Sequence, residues 1–92
     1  MSESTIIDTL KQIKERYHLP ELYLFGSYAK HTNHAKSDID VAVKLEKTDA
    51  FLLIRVMQEI QERLNVKVDL VQLRDRMNPY LKKTILEEGI RV

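Results

Sequence analysis

Two rhythms of apolar residues alternate along the chain. Ile6, Leu10, Ile13 and Tyr17 recur at helical spacing. With Ser4 or Thr5 available as an N-cap and Pro20 to stop the pattern, this predicts an amphipathic helix over residues 5–17. A short apolar run from Leu22 to Phe25 predicts a strand, which Gly26 ends. From Ile39 to Leu45 the period drops to two: Ile39, Val41, Val43 and Leu45 share one face, and Asp38, Asp40, Ala42 and Lys44 share the other. That is the pattern of a strand with one oily face. Thr48 can cap a second long helix, buried along Leu53, Val56 or Met57, Ile60 and Leu64 and ending near Asn65. Val66 to Leu73 reads as a third strand with Asp69 in its middle. Asn78 as N-cap, Pro79 at the first helical position and Gly89 at the far end bracket a third helix, and Ile90 to Val92 adds a short last strand.

Between the first two strands, Ser27 to His31 allows a short helix and the segment HTNHAKS is a polar surface loop. The resulting order, α-β-α-β-α-β-α with an optional closing strand, predicts an α/β (α+β) fold in which a small mixed sheet is flanked by helices. Residues 1–92 are expected to form one domain, with no internal repeat or low-complexity tract.

Composition narrows the class. The chain is 43% hydrophobic and 32% charged, an ordinary globular balance. It has no cysteine, so neither a disulfide nor a cysteine zinc site braces so small a core, and a partner subunit or hetero-complex is expected to help. No signal-like core and no membrane-length apolar run is present, which makes the cytoplasm the expected location, without membrane attachment. A net charge of +1 gives no global field for nucleic acid, and no recognition-helix pattern is evident, so direct DNA binding is not expected.

The chemistry gathers in FGSYAKHTNHAKSDIDVAV, residues 25–43. Asp38 and Asp40, two apart in a strand, project from the same face. The 28 residues between Asp40 and Asp69 suffice for a crossover helix and a neighbouring strand, which can bring a third carboxylate beside the first two. Two carboxylates about 5 Å apart repel by roughly 3 kcal/mol at an effective dielectric near 20. A divalent cation removes that penalty. Oxygen-only ligands suit Mg²⁺ or Mn²⁺, and paired ions of this kind serve phosphoryl-type chemistry. Gly26 lets the backbone approach a bulky anion, Ser27 offers an N–H and a hydroxyl at the start of a short helix, and Lys30 could reach the same phosphates.

Gly26-Ser27, a ten-residue spacer, Asp38-Ile39-Asp40 and the later Asp69 together resemble the signature of the DNA polymerase beta-type nucleotidyltransferases, and the short chain resembles their minimal nucleotidyltransferase (MNT) branch. The likeness runs from the first helix to the closing EEGIRV. It implies transfer of a nucleoside monophosphate, AMP from ATP, to an acceptor hydroxyl with release of pyrophosphate. By the same resemblance Asp38 and Asp40 would ligate two Mg²⁺ ions, with Mn²⁺ as a substitute. Asp69 would ligate the catalytic ion and orient or deprotonate the acceptor, and Gly26 and Ser27 would bind the β- and γ-phosphates. MNT proteins are commonly encoded beside HEPN-domain ribonuclease toxins, which implies a HEPN toxin as partner, a tyrosine on it as acceptor, and an antitoxin role. The chain departs from the family's Gly-Ser-x-Ala-Arg-Gly at Lys30 and His31, losing the second glycine and the planar guanidinium fork.

Plainer readings stand beside these. Singly, the three aspartates could cap helices or pair with Lys36 or Lys67, and Gly26-Ser27 could be a turn and an N-cap. His18, His31 and His34 lack zinc-ligand spacing and read as surface residues. Tyr28 and Tyr80 read as packing or interface residues. Arg74, Arg76, Lys82 and Lys83 read as a solvated basic face. A binding antitoxin that neutralises its toxin by occlusion, and a drug-modifying nucleotidyltransferase, are the competing functions.

Overall fold

The computed structural model describes residues 2–26 and 38–92. Helix α1 (Glu3–Arg16) starts earlier than its periodicity suggests, because Ser2, not Ser4 or Thr5, is the cap: its hydroxyl accepts the Thr5 N–H at 3.2 Å. An extended residue ahead of the first apolar turn is free to cap, whereas Ser4 and Thr5 already lie in the helix. Ile6, Leu10 and Ile13 are fully buried.

The end of α1 is set before Pro20 is reached. His18 takes a left-handed conformation (φ 53), its N–H bonds to the Glu15 carbonyl at 3.3 Å, and the Leu19 N–H reaches back to Lys14 at 3.0 Å. These two bonds are a Schellman cap, a place where glycine is the favoured residue. Replacing His18 by Gly should therefore raise stability by ~0.5 kcal/mol, roughly 2–4 °C in melting temperature. His18→Val should lower it. Calorimetry giving both variants the wild-type Tm would contradict the cap's role.

Strands β1 (Glu21–Phe25), β2 (Ile39–Lys44), β3 (Val68–Gln72) and β4 (Ile90–Arg91) form one sheet in the order β3-β2-β1-β4. β1 runs antiparallel to β2 and β4, and β3 parallel to β2. The parallel pair needs a crossover, supplied by α2 (Ala50–Leu64). Asp49 caps α2, accepting the Leu52 N–H at 3.0 Å. Thr48, the expected cap, instead accepts from the Gln72 amide at 3.1 Å. Asn65 ends α2 in a left-handed turn (φ 53), so two further residues bring the chain round and β3 begins at Val68 rather than Val66.

Helix α3 (Pro79–Glu88) is capped as its sequence predicts: Asn78 accepts from Tyr80 and Leu81, Pro79 opens the helix, and the Gly89 N–H bonds to Ile85 at 3.0 Å.

The helices divide between the two sheet faces. α1 and α2 cover Leu22, Leu24, Ile39, Val41, Val43 and Val68 in the larger core. α3 lays Ile85 over Tyr23, Phe25, Ala42 and Leu73 on the other face. The second face of β2 is thus not simply polar: Ala42 is fully buried, because α3 packs there. Among the described residues no helix is long and apolar enough to cross a membrane. The short helix expected at Ser27–His31 lies outside the described residues.

Candidate active site

Strand alternation fixes where the carboxylates go. In the parallel ladder Asp40 stands opposite Asp69, and in the antiparallel ladder it stands opposite Phe25. Side chains opposite each other share a face, one strand spacing of ~4.8 Å apart. Asp40 and Asp69 therefore share the α3 face, at the end of the sheet where β1 leaves and β2 and β3 begin. Asp69 is the second residue of β3 and exposed, not central as its sequence context suggests.

Asp40 is the strained member. It is half-buried, and its carboxyl is pushed above the usual range, first by burial and then by the charges of Asp69 and Asp38. The buried Phe25 supplies an apolar wall on one side. Sequence reasoning missed Phe25, although the alternation in LYLF already puts it on the face of Tyr23.

Gly26 adjoins this carboxylate. Its φ is +75, and a Cβ placed there would lie 3.0 Å from the Asp40 Cγ and 3.2 Å from its Cβ, and closer still to its Oδ2. The missing side chain is therefore the space the carboxylate occupies, and only glycine lets Asp40 sit against the backbone there.

Asp38 is only partly drawn in. Its Oδ2 lies 3.9 Å from the Lys67 ammonium, one of the pairings a plainer reading allowed. Among the described residues no three His, Cys, Asp or Glu side chains come together as a ready-made metal site. Mg²⁺ does not require one: it takes one or two protein carboxylates and fills its remaining positions with water and substrate phosphate. An oxygen-only pair with one carboxyl destabilised by like charge, beside a side-chain-free backbone, fits that ion. Gly26, Asp40 and Asp69 thus meet at one corner with Asp38 at its margin, turned to Lys67, whereas Ser27 and Lys30 lie outside the described residues.

Known proteins place this arrangement. The profile of the family described as polymerase beta, nucleotidyltransferase matches residues 5–92. The protein adenylyltransferase MntA of Thermococcus cleftensis is 30% identical over 91 residues, spanning 98% of this chain and 91% of its own. The crystal structure of a toxin–antitoxin with AMP-PNP superposes with a TM-score of 0.78 at 30% identity, covering 91% of this chain and 69% of the other. The complex of a tri-AMPylated Shewanella oneidensis HEPN toxin with its MNT antitoxin gives 0.74 at 25% identity, over 98% of this chain and 71% of the other. A four-stranded mixed sheet carrying opposed aspartates beside a left-handed glycine, matched over almost its whole length, makes this chain a nucleotidyltransferase of the polymerase beta family, in its minimal branch.

Proposed function

We propose that residues 1–92 act as one catalytic unit, a Mg²⁺-dependent protein adenylyltransferase of the cytoplasm. It would transfer AMP from ATP to a tyrosine hydroxyl of a HEPN-domain toxin and so serve as the antitoxin. The observation that carries the reading is the opposition of Asp40 and Asp69, with the Asp40 carboxylate packed against the side-chain-free Gly26. The AMP-PNP in one related toxin–antitoxin structure and the AMPylated toxin in another favour ATP as donor and a protein as acceptor.

Asp40 and Asp69 would hold divalent ions, with Asp38 joining once its contact with Lys67 is released. When bound, those ions supply charge neutralisation at the attacking and leaving oxygens. Gly26, Ser27 and Lys30 are assigned to the triphosphate tail, with Gly26 giving the left-handed turn that leaves room for the Asp40 carboxylate. Asp69, exposed and without an ion pair among the described residues, would orient the acceptor hydroxyl and take its proton. The acceptor oxygen bonds to the α-phosphorus, the bond to the β-phosphate bridge breaks, and pyrophosphate leaves.

Incubating the protein with Mg²⁺, a HEPN-domain partner protein and each of the four α-labelled ribonucleoside triphosphates tests the reading. Label on the HEPN protein from ATP is the expected outcome. No label from any nucleotide would overturn it.

A further inference from the structure

Strand β3 is an edge of the sheet, so one side of its backbone has no strand partner. The Ile39 N–H bonds to Lys67 and the Leu73 N–H to Val43, so residues 67, 69, 71 and 73 turn their backbone groups inward to β2. Val68, Leu70 and Gln72 turn theirs outward. Only the first is covered: Gln61 of α2 accepts the Val68 N–H at 3.1 Å. Among the described residues nothing bonds to the backbone N–H groups of Leu70 and Gln72. The strand reads VDLVQ, with no proline, lysine or bulge, and its one charge, Asp69, lies on the sheet face shared with Asp40.

The register of this open edge is the informative part. A strand added to β3 would place one residue opposite Asp69, with its side chain on the Asp40–Asp69 face, ~4.8 Å from Asp69 and ~9.6 Å from Asp40. An aromatic hydroxyl at that register can lean across Asp69 to the corner.

We propose that the protein acceptor docks by β-addition: an extended segment of the HEPN-domain partner pairs with the Leu70 and Gln72 backbone and so presents its hydroxyl residue opposite Asp69. This rests on the adenylyltransferase reading above. It explains how so small a chain could position an acceptor: the main-chain ladder supplies orientation, and Asp69 sits at the ladder's catalytic end. Beyond Gln72, the exposed Arg74 and Arg76 have no ion pair among the described residues, so the proposal expects acidic residues on the flank of the docking segment.

Amide exchange of the wild-type protein with and without its HEPN-domain partner reads the docking itself. Exchange at Leu70 and Gln72 should slow by about tenfold or more in the complex. Unchanged exchange there, with protection elsewhere, would overturn the proposal. Leu70→Pro then reads its consequence, since proline at an outward-facing position keeps the β2–β3 ladder and removes the edge donor. Its transfer to the HEPN protein should fall about tenfold, the equivalent of one hydrogen bond, with Mg·ATP affinity within about twofold of wild type. Transfer at the wild-type rate would overturn β-addition. If wild type protects these amides but transfers no AMP, the enzymatic reading fails and the docking stands.

Discussion

Asp40→Asn should abolish transfer and stabilise the protein at once. Loss of the carboxylate most enclosed by Phe25 and Gly26 is expected to slow AMP transfer about a thousandfold, equivalent to ~4 kcal/mol of transition-state stabilisation. In the metal-free protein the same change should add about 1 kcal/mol of stability, roughly 4–8 °C in melting temperature. The physical reason is that Asp40 has its carboxyl raised by burial and by Asp69 and Asp38. A group raised in the fold contributes stability that is complete below its unfolded value and lost as pH rises through its folded one. The advantage of the asparagine variant should therefore be largest near neutral pH and shrink as acid protonates Asp40 in the wild type. Denaturant melts of both proteins in EDTA across that range check it. An advantage independent of pH would remove the charge argument.

Gly26→Ala should harm both fold and chemistry, in contrast. A methyl at φ +75 carries the left-handed penalty, and it would also occupy the volume of the Asp40 carboxylate. Together these should cost about 1–3 kcal/mol of stability. Transfer should fall about a hundredfold, because Asp40 must rotate away from Asp69 to make room. Stability comes from a urea melt, and kcat and KM for ATP from single-substrate kinetics. A variant with wild-type kinetics would mean that the backbone beside Asp40 plays no part in admitting phosphate.

The two residues explain what was readable before the fold was known. Alternation over Ile39–Lys44 placed Asp38 and Asp40 on one face, and the length of α2 allowed Asp69 to arrive beside them, because strand period and crossover length are local rules. The cap of α3 was equally local, with Asn78, Pro79 and Gly89 all within its own turn signals. What depended on tertiary contact was not legible. Thr48 lost the α2 cap to Asp49 and turned to Gln72 on a distant strand. Ala42 looked solvent-facing until Ile85 covered it. Asp38 looked equivalent to Asp40, yet Lys67 holds one and Phe25 shields the other. The open edge at Leu70 and Gln72 has no sequence signal of its own, since a strand's place in the sheet is decided by the others.

The most direct test of the carboxylate corner is the intact mass of a HEPN-domain partner protein after incubation with ATP, Mg²⁺ and either wild type or the Asp38→Ala/Asp40→Ala double variant. The account expects added AMP with wild type, none with the double variant or in EDTA, and growth protection lost along with the modification. Undiminished AMP transfer by the double variant would contradict the assignment of chemistry to these aspartates. Full protection by a variant that transfers nothing would make occlusion, not adenylylation, the antitoxin's mode of action.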